Sequence, residues 1–249
     1  MNRYFFTAEQ QEHDIVWLAD ADAHHILHVM RNVPGDLLEL CDGKGRCYHA
    51  VITSVHNKGV TCLLKEQLPD REPSVRFTLA FSLLKGEKVE WILQKATELG
   101  VSGFMPFISE RSVVRLEEKK ARERLKRWEK ITLAASCQSK RGVIPYIMPP
   151  CNWQQLVGRF ADFHKVLFFF FEGTGGCPLS TVLRETVPDS PILLITGPEG
   201  GFSPDEAATA RSHGAETVTL GPRILRAETA ALTAAALVLY QVGELGGKT

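Results

Sequence analysis

From Phe77 onward the apolar positions switch between two patterns. Phe77–Leu84, Phe104–Ile108, Val166–Phe171 and Ile192–Thr196 are almost unbroken apolar runs, the pattern of strands covered on both faces. Thr217–Leu220 reads as a further, shorter strand. Between them the spacing becomes helical. Val89, Ile92, Leu93, Ala96 and Leu99 lie on one helix face, and Gly100 suits a C-terminal cap. Leu125, Trp128, Ile131 and Ala135 form the apolar stripe of a long helix from about Glu117 to Ser139. A further helix is expected from Pro204 to His213. A last one, from Glu228 to Val242, is apolar nearly all round and is therefore expected to be buried. Strands alternating with helices predict an α/β domain with a parallel sheet.

Upstream the pattern is mostly β. Leu37–Cys41, Cys47–Val55 and Val60–Leu64 read as strands, separated by turns at Asp42-Gly43-Lys44-Gly45 and His56-Asn57-Lys58-Gly59. A short helix, about Ala23–Arg31, precedes them and ends before Pro34-Gly35. A small barrel fits these elements. Leu68-Pro69-Asp70-Arg71-Glu72-Pro73-Ser74 is polar and carries two prolines, which disfavour regular structure. The expected division is a β-rich domain over 1–70 and an α/β domain over 75–249, and 249 residues suffice for two modest cores.

Charge changes the picture more than composition does. The net charge is zero, but residues 73–145 hold 15 Lys and Arg against 8 Asp and Glu, whereas the segments on either side are net acidic. Much of the excess lies on the long helix, at Lys119, Lys120, Arg122, Arg124, Lys126, Arg127 and Lys130. Such a block attracts phosphate backbones, or simply forms a solvated helix face. The opening MNRYFFTAEQ lacks the order of a signal peptide, and no apolar run reaches the ~20 residues of a membrane span. The six cysteines show no Cys-x-x-Cys spacing, so reduced thiols in a cytoplasmic protein are expected. His24 and His28 are four apart, but no third ligand accompanies them and no metal site is expected.

The candidate chemistry lies at strand ends. Ile192–Thr196 runs into Gly197-Pro198-Glu199-Gly200-Gly201-Phe202, and a helix follows at once. Ser203 fits an N-cap, Pro204 the first helical position, and Glu206 completes a capping box. In open α/β sheets ligands bind beyond the carboxyl ends of strands, where glycines admit close backbone approach. The loop is neither G-x-G-x-x-G nor a phosphate loop, and Glu199 would repel phosphate. The terminal Gly247-Lys248-Thr249 mimics part of a phosphate loop, but Val242 stands where Gly is needed. An uncharged or cationic nucleoside suits the loop better, with a plain strand–helix connector as the alternative. Leu220-Gly221-Pro222-Arg223-Ile224-Leu225-Arg226-Ala227-Glu228-Thr229 also joins a strand to a helix, and Glu228 lies where the helix dipole favours an acid. Arg226 and Glu228 would form either a reactive pair or a simple ion pair. A third glycine-bearing end, Phe171-Glu172-Gly173-Thr174-Gly175-Gly176, would converge with these two.

The two C-terminal loops together resemble the signature loops of the ribosomal RNA small subunit methyltransferase E family, within the trefoil-knot (SPOUT) methyltransferases. The resemblance extends to Arg3-Tyr4-Phe5-Phe6, to His24-His25 through Arg31, and to Gly35-Asp36 with Asp42-Gly43-Lys44-Gly45. It continues in Lys85-Gly86-Glu87-Lys88 through Gly100 and in Gln138-Ser139-Lys140-Arg141 with Pro145. The family usually has Leu for Met30, Thr for Ala227 and Glu for Cys137, so no carboxylate role is assigned at 137. The resemblance implies a PUA-like RNA-binding β-barrel over 1–70. It also implies a SPOUT methyltransferase domain over 75–249, knotted in about 166–245, that works as a homodimer. It implies S-adenosylmethionine as cofactor and methylation of N3 of a uridine, position 1498, in 16S rRNA of the small ribosomal subunit.

On that basis the cofactor is expected on Phe171, Glu172, Thr196, Gly197, Pro198, Glu199, Gly200, Gly201, Leu220, Gly221, Ile224, Leu225 and Thr229. Arg226 and Glu228 are the expected catalytic residues, and Glu228 is either a proton acceptor or an orienting partner of Arg226. Arg3, Arg31, Lys85, Arg111 and Arg141 are the candidate RNA contacts. Another class of reading is a non-catalytic RNA-binding or ribosome-assembly module with a vestigial pocket. A nucleotide-dependent oxidoreductase is disfavoured by the missing G-x-G-x-x-G and by Glu199.

Overall fold

The computed structural model describes residues 1–56, 59–114, 117–169, 176–183 and 190–246. Asn57 and Lys58 of the second expected turn, the strand end at 170–175 and the terminal Gly247-Lys248-Thr249 lie outside the described residues. The chain forms two compact units, 1–72 with 136–144, and 73–135 with 145–249.

The first unit is a six-stranded sheet built from β1 (Arg3–Phe5), β2 (Gln11–Glu12), β3 (Ile15–Ala19), β4 (Leu37–Cys41), β5 (Cys47–His56) and β6 (Gly59–Gln67). The order is β1-β4-β5-β6-β3-β2, antiparallel except for β1 beside β4. Alternate residues Leu38 and Leu40, Ala50 and Ile52, and Cys62 and Leu64 face a core shared with Val16, Leu18 and Ile26. That period of two is what a half-buried sheet requires. The expected helix is shorter, α1 (Asp20–His24), followed by a π-helical turn over His25–Val29 in which Met30 N–H donates to the His25 carbonyl. Cys41 and Cys47 differ from the all-reduced expectation. They oppose one another in the β4–β5 register and form a disulfide.

The chain returns to this unit at Ser136–Ile144, and two carboxylates hold it there. Glu72 pairs with Arg141 at 2.6 Å and accepts the N–H groups of Gly142 and Val143. Glu39 receives both Arg3 and Lys140 at 2.9 Å.

The second unit contains β7 (Phe77–Ser82), α2 (Lys88–Leu99), β8 (Gly103–Ile108), α3 (Glu118–Gln138), β9 (Tyr146–Ile147), β10 (Cys151–Asn152) and α4 (Trp153–Val157). They are followed by β11 (Lys165–Phe169), β12 (Cys177–Pro178), α5 (Leu179–Val182), β13 (Ile192–Thr196), α6 (Pro204–Ser212), β14 (Glu216–Thr219) and α7 (Ala227–Gln241). The sheet order is β10-β8-β7-β13-β11-β14-β12, with β9 also on β8, and every pairing is parallel.

The apolar runs serve two cores. Ile192 and Leu194 face a cluster with Ile92 and Leu93 of α2 and Ala231, Ala235 and Val238 of α7. Leu193 and Ile195 face Trp153 of α4 and Ala207 and Ala210 of α6. Each fully buried Leu or Ile stabilises the fold by roughly 1.5–3 kcal/mol. Gly100 caps α2 with φ 112°, as its position predicts. The last helix departs from the expectation of full burial. Leu237 is 41% and Tyr240 62% exposed, because only the alanine-rich face packs inward. Among the described residues no helix is long and apolar enough to cross a membrane.

Candidate functional site

Central β13 ends at Thr196, in register with Phe81 of β7 and Phe169 of β11. The loop that follows is held from both sides. Phe202 is buried among Phe107, Trp153 and Phe168, with the Phe168 ring centroid 4.6 Å away. A Cβ on Gly197 would approach the Phe202 ring to 2.8 Å, so the turn requires glycine there. Gly201 has φ 68° and open space where a side chain would project. The expected capping box forms: Ser203 Oγ accepts from Glu206 N–H, and Glu206 accepts from Ser203 N–H at 2.9 Å. The same carboxylate accepts from Ser109 Oγ at 3.1 Å and from Glu110 N–H at 2.9 Å, which ties the loop after β8 to the start of α6. Arg111 then donates to the Gly200 carbonyl at 3.2 Å.

The second loop leaves β14 through Leu220 and Gly221, the latter at φ 103°. It enters α7 with Arg226 at the N-cap position. The two loops meet around a cavity of about 500 Å³. Gly197 to Phe202 form one wall, Ile224 to Ala227 another, and Phe169, Lys88, Arg111 and Ala230 complete it. Ile224 is 80% exposed at this cavity, an apolar side chain offered to whatever enters.

Lys88, the first residue of α2, joins the charges. Its Nζ lies 3.0 Å from Glu199 and 3.4 Å from Glu228. Burial alone would raise the Glu199 carboxyl. The Lys88 hydrogen bond and a backbone hydrogen bond outweigh burial and hold it below the usual carboxylate value. The Glu199 hydrogen bond in turn raises the Lys88 ammonium. Glu228 Oε2 is buried and makes no hydrogen bond among the described residues, so the Lys88 contact at 3.4 Å is its compensation. Glu228 therefore does not pair with Arg226, and among the described residues Arg226 is exposed at the cavity with no ion pair.

The structure thus gathers Gly197, Pro198, Glu199, Gly200, Gly201, Ile224, Leu225 and Arg226 in one place. Thr196, Leu220, Gly221 and Thr229 do not line the cavity. Thr196 is buried and donates to the Ala80 carbonyl, Leu220 packs on the core and Thr229 points to solvent. Phe171 and Glu172 lie outside the described residues. Sequence reasoning missed Lys88 and Phe169. Lys88 ends the quoted Lys85-Gly86-Glu87-Lys88 stretch, and Phe169 lies at a strand end like the other site residues.

Of the candidate RNA contacts, Arg31 and Lys85 are exposed, and Arg111 is exposed but engaged with Gly200. Arg3 and Arg141 are buried in ion pairs with Glu39 and Glu72, so here they hold the first unit together and do not face solvent. Burial pushes the Cys137 thiol up to about 11, so this position carries a neutral group.

Comparison with known proteins adds to this geometry. A family model for an RNA methyltransferase domain matches residues 71–239, and one for an RNA methyltransferase PUA domain matches residues 18–65. The chain is 37% identical over 254 residues to ribosomal RNA small subunit methyltransferase E of Bacillus subtilis, covering 99% of each chain. It is 31% identical over 236 residues to the Synechocystis protein of the same name, covering 95% of this chain and 76% of the relative. A solved structure of ribosomal RNA small subunit methyltransferase E from Neisseria gonorrhoeae, bound to S-adenosyl methionine, superposes with TM-score 0.83 and 31% identity over 96% of this chain and 97% of that one. A Legionella pneumophila protein in complex with bound cofactor SAM gives TM-score 0.83 at 32% identity over 96% of each chain.

Proposed function

This chain belongs to the ribosomal RNA small subunit methyltransferase E family, and on that premise we propose that it methylates N3 of a uridine, position 1498, in 16S rRNA of the small ribosomal subunit. It is an S-adenosylmethionine-dependent rRNA methyltransferase with an α/β domain and a PUA-like domain. The observation that carries the site assignment is the meeting of Gly197–Phe202 and Ile224–Ala227 around one cavity, with Arg226 at its wall and in no ion pair among the described residues.

The cavity suits the cofactor on its own evidence. Its volume falls within the roughly 300–1,000 Å³ of ligand pockets, and it offers glycine backbone and apolar side chains. Glu199 lines it, held by Lys88 at 3.0 Å, and Glu228 lies 3.4 Å from the same ammonium. We place the cofactor on the backbone of Gly197–Gly201 and against Ile224 and Leu225. When bound, it supplies a methyl group on a sulfonium, already activated for in-line displacement.

The protein's task is to position the partners, an effect worth about 7–11 kcal/mol when geometry is near ideal. The target N3–H must also lose its proton. Arg226 would stabilise the negative charge that develops on the uracil oxygens. Glu228, whose Oε2 lies 3.4 Å from Lys88, is the proposed proton acceptor, for which a gain of about 10²–10⁴ is typical. Arg31 and Lys85 remain proposed RNA contacts. The vestigial-pocket reading finds no support in a cavity whose loops are braced by Glu206 and Phe202.

Mass spectrometry of 16S rRNA from a strain lacking this protein tests the reading. One uridine methyl should disappear and return on complementation, and an unchanged modification set would refute it.

Domain limits of 1–70 and 75–249, with 136–144 returning to the first unit, cytoplasmic location and a knot over about 166–245 are proposed on family membership. So is a homodimer, for which exposed Leu237 and Tyr240 on α7 offer an apolar face. Leu237→Glu with Tyr240→Glu should halve the mass measured by light scattering. Identical masses for variant and wild type would remove α7 from the interface.

A further inference from the structure

We infer that the outer face of α3 is a track for the phosphate backbone of the rRNA substrate, an inference that rests on the rRNA reading above. Residues 119–130 of α3 carry seven Lys or Arg against two Glu. A helix advances 100° per residue, so Lys119, Lys126 and Lys130 fall on one line. Trp128 and Thr132 are buried on the opposite face. The line is about 16 Å long at 1.5 Å per residue, enough to meet several successive phosphates. Lys119 and Lys126 also border a surface cleft of about 270 Å³ together with Arg122 and Glu123.

A merely solvated helix face is laced with i,i+4 pairs of opposite sign. This one is not. Arg127 reaches Glu90 of α2 at 2.6 Å, but Lys119, Lys120, Arg124, Lys126 and Lys130 meet no carboxylate at ion-pair distance among the described residues. Lys120 with Arg124, and Lys126 with Lys130, are like charges four apart, which destabilise a helix. A polyanion lying along the face would relieve that repulsion. The Arg127–Glu90 pair also fastens the face to α2, whose first residue, Lys88, lines the donor cavity. The track therefore adjoins the element that leads to the reaction site. An RNA backbone matches a run of spaced, exposed cations.

The test is a triple variant, Lys119→Gln with Lys126→Gln and Lys130→Gln, beside a triple Lys→Arg variant. Glutamine keeps the helix propensity of lysine at exposed positions. Binding of the full chain to naked 16S rRNA and to small subunits is measured across a salt series. Each lost phosphate contact lowers the salt slope by about 0.7–0.9, so the Gln variant should lose roughly 2 and bind at least ~10-fold more weakly at low salt. The Arg variant should bind as wild type does, and S-adenosylmethionine affinity should persist in both. Unchanged slope and affinity would overturn the track. A loss seen on subunits but not on naked rRNA would also overturn it, and would assign the face to an acidic protein. Wild type that binds rRNA along this face yet methylates none would refute the proposed function and leave the track standing.

Discussion

Replacing Arg226 by Ala is expected to lower methylation of small subunits by about 10²–10³-fold, the usual cost of removing one donor aimed at developing charge. Arg226 lines the cavity between Leu225 and Ala227 and is exposed there. Its obvious partner, Glu228, is taken by Lys88 at 3.4 Å. The guanidinium is therefore available to substrate, and its loss leaves no buried charge behind. Thermal stability should stay within about 1 °C and donor affinity within about two-fold, because a surface change away from packed groups costs little. Arg226→Lys keeps the charge but not the planar fork, so partial recovery is expected. Single-turnover methylation with saturating donor measures the effect. Activity near wild type would remove Arg226 from the reaction.

Glu206→Ala is expected to destabilise the second unit by about 3 kcal/mol and to weaken donor binding by more than ~10-fold. The carboxylate is 5% exposed and accepts from Ser203 N–H, Glu110 N–H and Ser109 Oγ. Each buried donor left unsatisfied costs about 1–3 kcal/mol, and a lost cap about 1 kcal/mol, although local relaxation recovers part. The loop from Gly197 to Ser203 would then lose one of its braces, with Phe202 still in its aromatic cluster. Glu206→Gln retains one acceptor oxygen and should fall between the two. Urea denaturation reads the stability and calorimetry the affinity. A loss under about 1 kcal/mol would show that the brace is dispensable.

Local signals were the readable ones. The limits of Leu37–Cys41 and Ile192–Thr196 follow directly from their apolar runs, and both strands have those bounds. Ser203, Pro204 and Glu206 announce a helix start because a capping box is written within four residues. Three-residue β1 carries too little period to be seen, and β3, Ile-Val-Trp-Leu-Ala, is apolar throughout although Ile15 and Trp17 are exposed, so its composition hides the half-buried alternation. Groups distant in sequence were hidden for a different reason. Lys88 and Glu199 are 111 residues apart, and nothing local distinguishes Lys88 from Lys85. Arg3 and Arg141 look like surface cations until Glu39 and Glu72 are seen to bury them. The outward side of α7 looks buried because its composition is apolar, yet composition does not say which face is covered.

The most direct measurement is a crystal structure of the full chain with S-adenosylhomocysteine, the demethylated product. The nucleoside should lie against the backbone of Gly197–Gly201 and the side chains of Ile224 and Leu225, with Arg226 still open to a target base. Product bound elsewhere, with those two turns apart and vacant, would contradict the account.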